Sequence, residues 1–158
     1  DRFDVSIVTQ NVDDLHERAG SSQVYHLHGE LLKARSTLDP TISLHWSEDI
    51  TLSDRCPLGS QLRPDIVWFG EAVPMMDIAI ELTRTAHLVI VIGTSLQVYP
   101  AANLINVLGN RARLIYVDPE PAGLGAVSNE KYIINKTAVE AIPELHQLIS
   151  QLLENMEL

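Results

Sequence analysis

The sequence predicts an α/β fold built on a parallel sheet, and three observations predict it. Short β-branched runs at residues 5–9, 66–69, 88–92 and 114–117 are apolar on both faces, as strands covered on both sides are. Segments with helical spacing alternate with them. Polar or glycine turns follow the strands, beginning at Gln10, Gly93 and Asp118.

Taken in order, strand 5–9 runs into Gln10-Asn11-Val12-Asp13, after which Asp13 or Asp14 can cap a short helix reaching Arg18. Val24-Tyr25-His26-Leu27-His28-Gly29 reads as a short extended piece. Residues 33–61 hold Pro40, Pro57, Gly59 and scattered Ser, Thr and Asp without a sustained period, so they form a long insertion, a small lobe or a functional loop. Strand 66–69 follows. Met76, Ile80 and Thr83 share one face of a helix over 74–85, and strand 88–92 comes next. A helix over 101–108 starts behind Pro100, as a helix follows a proline in its first turn. After strand 114–117, Leu145, Ile149, Leu152 and Met156 mark a final helix behind Pro143.

The chain has 158 residues, enough for one domain with a true core, and its 46% hydrophobic and 20% charged composition excludes a disordered chain. Its 11 Lys and Arg against 21 Asp and Glu give a net charge of −10, with no basic stripe, which argues against nucleic-acid partners. No apolar run approaches the roughly 20 residues that span a bilayer, so a soluble protein without a membrane partner is expected. Cys56 is the only thiol, which rules out an internal disulfide and a cysteine zinc cage, and suggests a reducing, cytoplasmic setting.

Several short motifs carry chemistry, each beside a plainer reading. Gly93-Thr94-Ser95 at the end of a buried strand suits a phosphate or ribose, or a tight turn. Asp118-Pro119-Glu120-Pro121 places an acid where such folds hold a ribose hydroxyl, or makes a rigid turn. Gln10, Asn11 and Asp13 are polar groups at a sheet rim that call for a ligand, unless an Asx turn uses them. His26 and His28, two apart in an extended piece, share a face that suits a metal pair lacking a third ligand; alternatively His28 is a general base. Val67-Trp68-Phe69-Gly70-Glu71 is core, or an edge to which an extended peptide adds.

The order of these pieces is far more specific than any one of them. Thr9-Gln10-Asn11-Val12-Asp13-Asp14-Leu15-His16-Glu17-Arg18-Ala19-Gly20, then His28-Gly29-Glu30, then Arg63-Pro64 with Val67-Trp68-Phe69-Gly70-Glu71, then Gly93-Thr94-Ser95 with Val98-Tyr99-Pro100-Ala101, resembles the sirtuins, and among them the bacterial NAD-dependent protein deacylases. The resemblance covers residues 1–153 and implies a Rossmann-like sheet of the sirtuin type, with the N-terminal part of that fold absent. It implies one partial catalytic domain over 1–158, in which 33–61 is the remnant of a zinc-binding lobe. By resemblance His28 is the general base, Gln10 and Asn11 contact the nicotinamide ribose, and Asp13 holds the carboxamide. Gly93, Thr94 and Ser95 line the ribose and phosphates, Asp118 and Ala138 lie at the adenosine end, and Val67, Phe69 and Gly70 match the strand that pairs with an acylated-lysine peptide. The implied reaction turns NAD and acyl-lysine into nicotinamide, deacylated lysine and 2′-O-acyl-ADP-ribose.

Three departures qualify these expectations. The family's zinc cysteines are missing, with Ser36 near the start of the first pair and Cys56 left from the second. At the adenosine end Asp118 stands where Asn is common, and Lys136 replaces a glycine. The family's Gly-Ala-Gly phosphate loop is expected in the gene ahead of Asp1, and the chain without it is expected to bind NAD poorly. The alternative is a non-catalytic sirtuin remnant, an interaction or weak ADP-ribose-binding domain.

Overall fold

In the computed structural model of the chain, which describes residues 3–121, 123–124 and 127–154, strand β1 (Ile7–Thr9) pairs in parallel with β2 (Val24–His26), Thr9 opposite His26. Helix α1 (Leu15–Arg18) lies in the crossover between them. These elements belong to the first of two compact units, Asp1–Ala79 and Ile80–Leu158.

The remainder of the first unit is an antiparallel sheet, ordered β4-β3-β5, of β3 (Gly29–Ser36), β4 (Ser43–His45) and β5 (Leu62–Ile66). Residues 33–61 are therefore more regular than their sequence predicts. Ala34, Cys56 and Leu62 form a small buried core, with Ile42, Leu44, Trp46 and Ile50 packed against it. These residues come from strands and loops alike, so no single period joins them. The strand expected at 66–69 is displaced: β5 ends at Ile66, and Val67, Trp68 and Phe69 continue without strand pairing into a turn at Gly70, where φ is +88°. Gly29 has φ +88°, and a methyl group there would lie 1.9 Å from the Asp65 carbonyl oxygen, so β3 and β5 approach as only a glycine permits.

Helix α2 (Met76–Thr85) spans the boundary between the units. The second unit holds a parallel sheet of β6 (Leu88–Ile92), β7 (Arg113–Val117) and β8 (Lys131–Ile134), with β7 central. Ile115 and Val117 face Ile134, Ala141 and Leu152, while Leu114 and Tyr116 face Leu124 and Val127. That two-sided burial is the pattern the sequence shows at 114–117. A 3₁₀ helix, Ala101–Val107, stands where a helix over 101–108 is expected.

Helix α3 (Ala138–Glu154) starts ahead of Pro143, not behind it. Thr137 and Glu140 make a reciprocal cap: the Thr137 N–H donates to the Glu140 carboxylate at 3.2 Å, and the Glu140 N–H to the Thr137 hydroxyl at 3.4 Å. Pro143 then costs one backbone hydrogen bond in the second turn. Met156, the last step of the apolar pattern, lies outside the described residues. Among the described residues no helix is long and apolar enough to cross a membrane.

Candidate active site

In the first unit the site residues gather where β1 and β2 end. Beyond Thr9 the backbone leaves the sheet, and three successive carbonyls are each given a donor. His28 Nδ1 lies 3.2 Å from the Gln10 oxygen, His26 Nδ1 lies 2.9 Å from the Asn11 oxygen, and the Leu31 N–H donates to the Val12 oxygen at 2.7 Å. The Asn11 N–H donates to the Thr9 hydroxyl at 3.1 Å. A carbonyl can only accept, so His28 carries its proton on Nδ1 and presents Nε2 as the basic nitrogen. Asp13 Oδ1 accepts the Leu15 N–H at 3.1 Å, the Asx turn that the sequence offers as the plainer reading.

His26 and His28 do not form the shared strand face that their spacing suggests, because β2 ends at His26 and His28 sits in the following turn. His26 is 8% exposed and faces the Glu17 carboxylate at 2.8 Å through Nε2. Burial works against its charge, yet the Glu17 carboxylate and the Asn11 carbonyl outweigh it and raise its pKa above the ordinary value. Glu17 is correspondingly lowered, chiefly by the hydrogen bond from His26.

The 67–70 segment is tied to the base by its backbone, since the Val67 N–H donates to the His28 carbonyl at 2.9 Å. Phe69 is 99% exposed and Trp68 57%, which excludes a core role for either. Glu71 holds this exposed turn: it accepts from the Trp68 N–H at 3.0 Å, from Arg63 at 2.6 Å and from Arg35 at 3.0 Å. The Arg63 hydrogen bond, joined by that of Trp68, lowers its pKa to about 2. No sequence signal marks this role of Glu71, because its partners Arg35 and Arg63 lie on separate strands.

In the second unit the remaining candidates follow the carboxyl ends of the three parallel strands, where α/β folds bind ligands. Gly93 closes β6 with φ +63°, its N–H donates to the Val117 carbonyl at 3.1 Å, and a methyl built on it meets no atom within 4 Å. Its backbone is thus open to close approach. The Thr94 carbonyl accepts from the hydroxyl of fully buried Tyr116 at 2.9 Å, and Thr94 Oγ1 accepts the Leu96 N–H at 3.3 Å. Leu96 has φ +55°, a bend no sequence signal marks. Ser95 is exposed beside them. Asp118 Oδ1 accepts the Glu120 N–H at 2.9 Å, and Ala138 is the exposed first residue of α3. Lys136 pairs with Glu144 at 2.7 Å.

Zinc does not fit the 33–61 segment. Among the described residues no group of three His, Cys, Asp or Glu can hold a metal. The Cys56 thiol lies 3.1 Å from the Ser60 hydroxyl, which lies 2.7 Å from that of Ser36; one thiol and two alcohols are not a zinc donor set. The polar groups around Gln10 and at the Gly93 loop are, by contrast, donors and acceptors of the kind a sugar and phosphates require.

The model of the Sir2 family matches residues 2–100. The chain is 53% identical over 143 residues to an NAD-dependent protein deacylase of Helicobacter pylori, covering 90% of this chain and 62% of that protein. It is 43% identical over 153 residues to an NAD-dependent protein deacylase of Bacteroides thetaiotaomicron, covering 93% and 65%. The chain thus spans less than two thirds of these relatives. Among solved structures, a Sir2 homologue bound to ADP-ribose superposes with a TM-score of 0.79 at 37% identity, covering 95% of this chain and 61% of that one. A Sir2 homologue bound to a p53 peptide and NAD⁺ gives 0.73 at 32%, covering 92% and 63%.

Proposed function

The chain belongs to the Sir2 family, and on that premise we propose that it carries the base and the peptide-binding segment of an NAD-dependent protein-lysine deacylase. The observation that carries this reading is the geometry of His28. Its Nδ1 proton is spent on the Gln10 carbonyl, its Nε2 can take a proton, and its backbone holds the exposed 67–70 turn through Val67. NAD, when bound, would supply an electrophilic ribose carbon and nicotinamide as its leaving group.

The chain's own residues then have defined tasks. Val67, Phe69 and Gly70 hold the acylated-lysine peptide in extended form. His28 takes a ribose hydroxyl proton at Nε2. Gln10 and Asn11 orient that ribose, and Asp13 holds the carboxamide. Gly93, Thr94 and Ser95 offer backbone and hydroxyl groups to ribose and phosphates, with Asp118 and Ala138 at the adenosine end. Residues 1–158 form part of one catalytic domain, 33–61 is its metal-free lobe, and the cytoplasm is its compartment. Neither nucleic acid nor membrane is a partner in this reading.

The test is nicotinamide release by the complete product of the gene, given NAD and an acetyl-lysine peptide. Turnover is expected, and His28→Ala is expected to lower it by about 10²- to 10⁴-fold, the usual worth of a general base. Wild-type turnover in that variant overturns the assignment of the base. No turnover in the wild type leaves a binding remnant, a reading favoured by ADP-ribose binding without chemistry.

A further inference from the structure

Of the His26 and His28 pair in the sequence, only His28 has a task in the proposed deacylation. We infer that His26, held between the Asn11 carbonyl and the Glu17 carboxylate, is a positioning residue: it clamps the 10–12 backbone that orients the base and the ribose contacts. This inference rests on the deacylase reading.

Both ring nitrogens of His26 face groups that can only accept, a carbonyl at 2.9 Å and a carboxylate at 2.8 Å. A neutral imidazole has one N–H and can satisfy only one of them, whereas the imidazolium satisfies both. His26 is buried at the end of β2, while Glu17 lies at the surface on α1, so the bridge ties the crossover helix to the sheet rim across the 10–13 segment. The next carbonyl back along that segment, Gln10, is the one that fixes the tautomer of His28. If the clamp is released, the Asn11 carbonyl loses its donor and the Gln10 carbonyl its fixed aim, and the base loses orientation without any change in its own chemistry.

The charged groups acting on His26 are Glu17 of α1 and Glu30 of β3, and both favour its protonated form. Strand β1, to which β2 is paired, contributes Ile7, Val8 and Thr9 and no ionisable group. Because the folded state raises the His26 pKa, the clamp is complete below the ordinary histidine range and is lost as pH rises through the raised value. Activity should therefore carry an alkaline limb that reports His26.

Glu17→Gln is the first variant, because Glu17 is exposed and its amide can keep the fold; His26→Gln is the second. Each is compared with the complete wild-type protein by NMR titration of the His26 ring and by the kinetics of nicotinamide release. In Glu17→Gln the His26 midpoint is expected to move down and the alkaline limb to move with it. At pH 8, kcat is expected to fall roughly tenfold while the KM for peptide holds, and Glu17→Asp is expected to restore part of the loss. A merely structural bridge would lower Tm and leave the pH profile in place, which overturns the inference. So does a His26 midpoint indifferent to Glu17→Gln. If the wild type releases no nicotinamide, the deacylase reading and the positioning role both fall, and the titration alone then reports whether the bridge exists.

Discussion

At the residue scale, the site is organised by what each polar group can donate or accept. His28 is legible in the sequence because it stands in a distinctive order of motifs, but its tautomer is not, since that depends on a carbonyl eighteen positions away. Glu71 is less legible still: a turn must bring the Trp68 N–H back to it, and two strands must deliver Arg63 and Arg35. Its carboxyl is held at about 2, so its contribution to stability is present above the ordinary value of 4.5 and is lost as pH falls from there through about 2. Urea unfolding at stepped pH should show wild-type stability falling across that window, with Glu71→Gln losing stability above it and showing a flatter profile within it. The same variant frees the Trp68 N–H, so the KM for an acylated peptide should rise more than kcat falls.

At the element scale, α/β alternation and the strands at 88–92 and 114–117 are readable from apolar runs, but the burial on both faces that those runs predict holds for β7 alone, since Ile90 and Ile92 of β6 are exposed. Strand β8 escapes such a reading: Lys131 leaves only Tyr132, Ile133 and Ile134 as an apolar run, too short to mark a strand by itself, and its place is set by pairing with β7. The β4-β3-β5 sheet is hidden by composition, its core being assembled from residues that no one period connects. What fixes its register is Gly29, pressed against the Asp65 carbonyl. Gly29→Ala must both enter an unfavourable φ and push two backbones apart, and is expected to cost at least about 3 kcal/mol. A fall in the urea midpoint checks this; a midpoint within error of wild type would mean that β3 and β5 can part cheaply.

At the scale of the whole molecule, the net charge of −10 acts on every approaching partner. On the proposed function, an acylated peptide rich in lysine and arginine would be drawn to this field, and salt would screen the attraction over roughly 10 Å at 0.1 M. kcat/KM for a basic acyl-lysine peptide should then fall several-fold between 20 and 300 mM salt, while that for a neutral peptide holds. Equal salt dependence for the two peptides would place the acidic groups too far from the peptide path to matter. The charge was readable from the sequence at once, whereas the division into units at Ala79 and Ile80 was not, since it falls inside an unbroken helix.

The exposed turn at 67–70 also gives the chain an optical label of its own. It has two tryptophans, Trp46 packed against the small core of the first unit with its indole nitrogen shielded, and Trp68 more than half open to water. Their emission should therefore separate into a blue, quencher-resistant component and a red, quenchable one. If the proposed peptide lies along Val67 and Phe69, it should shield only the second of these from the quencher, so engagement could be followed in the native chain without dye or tag.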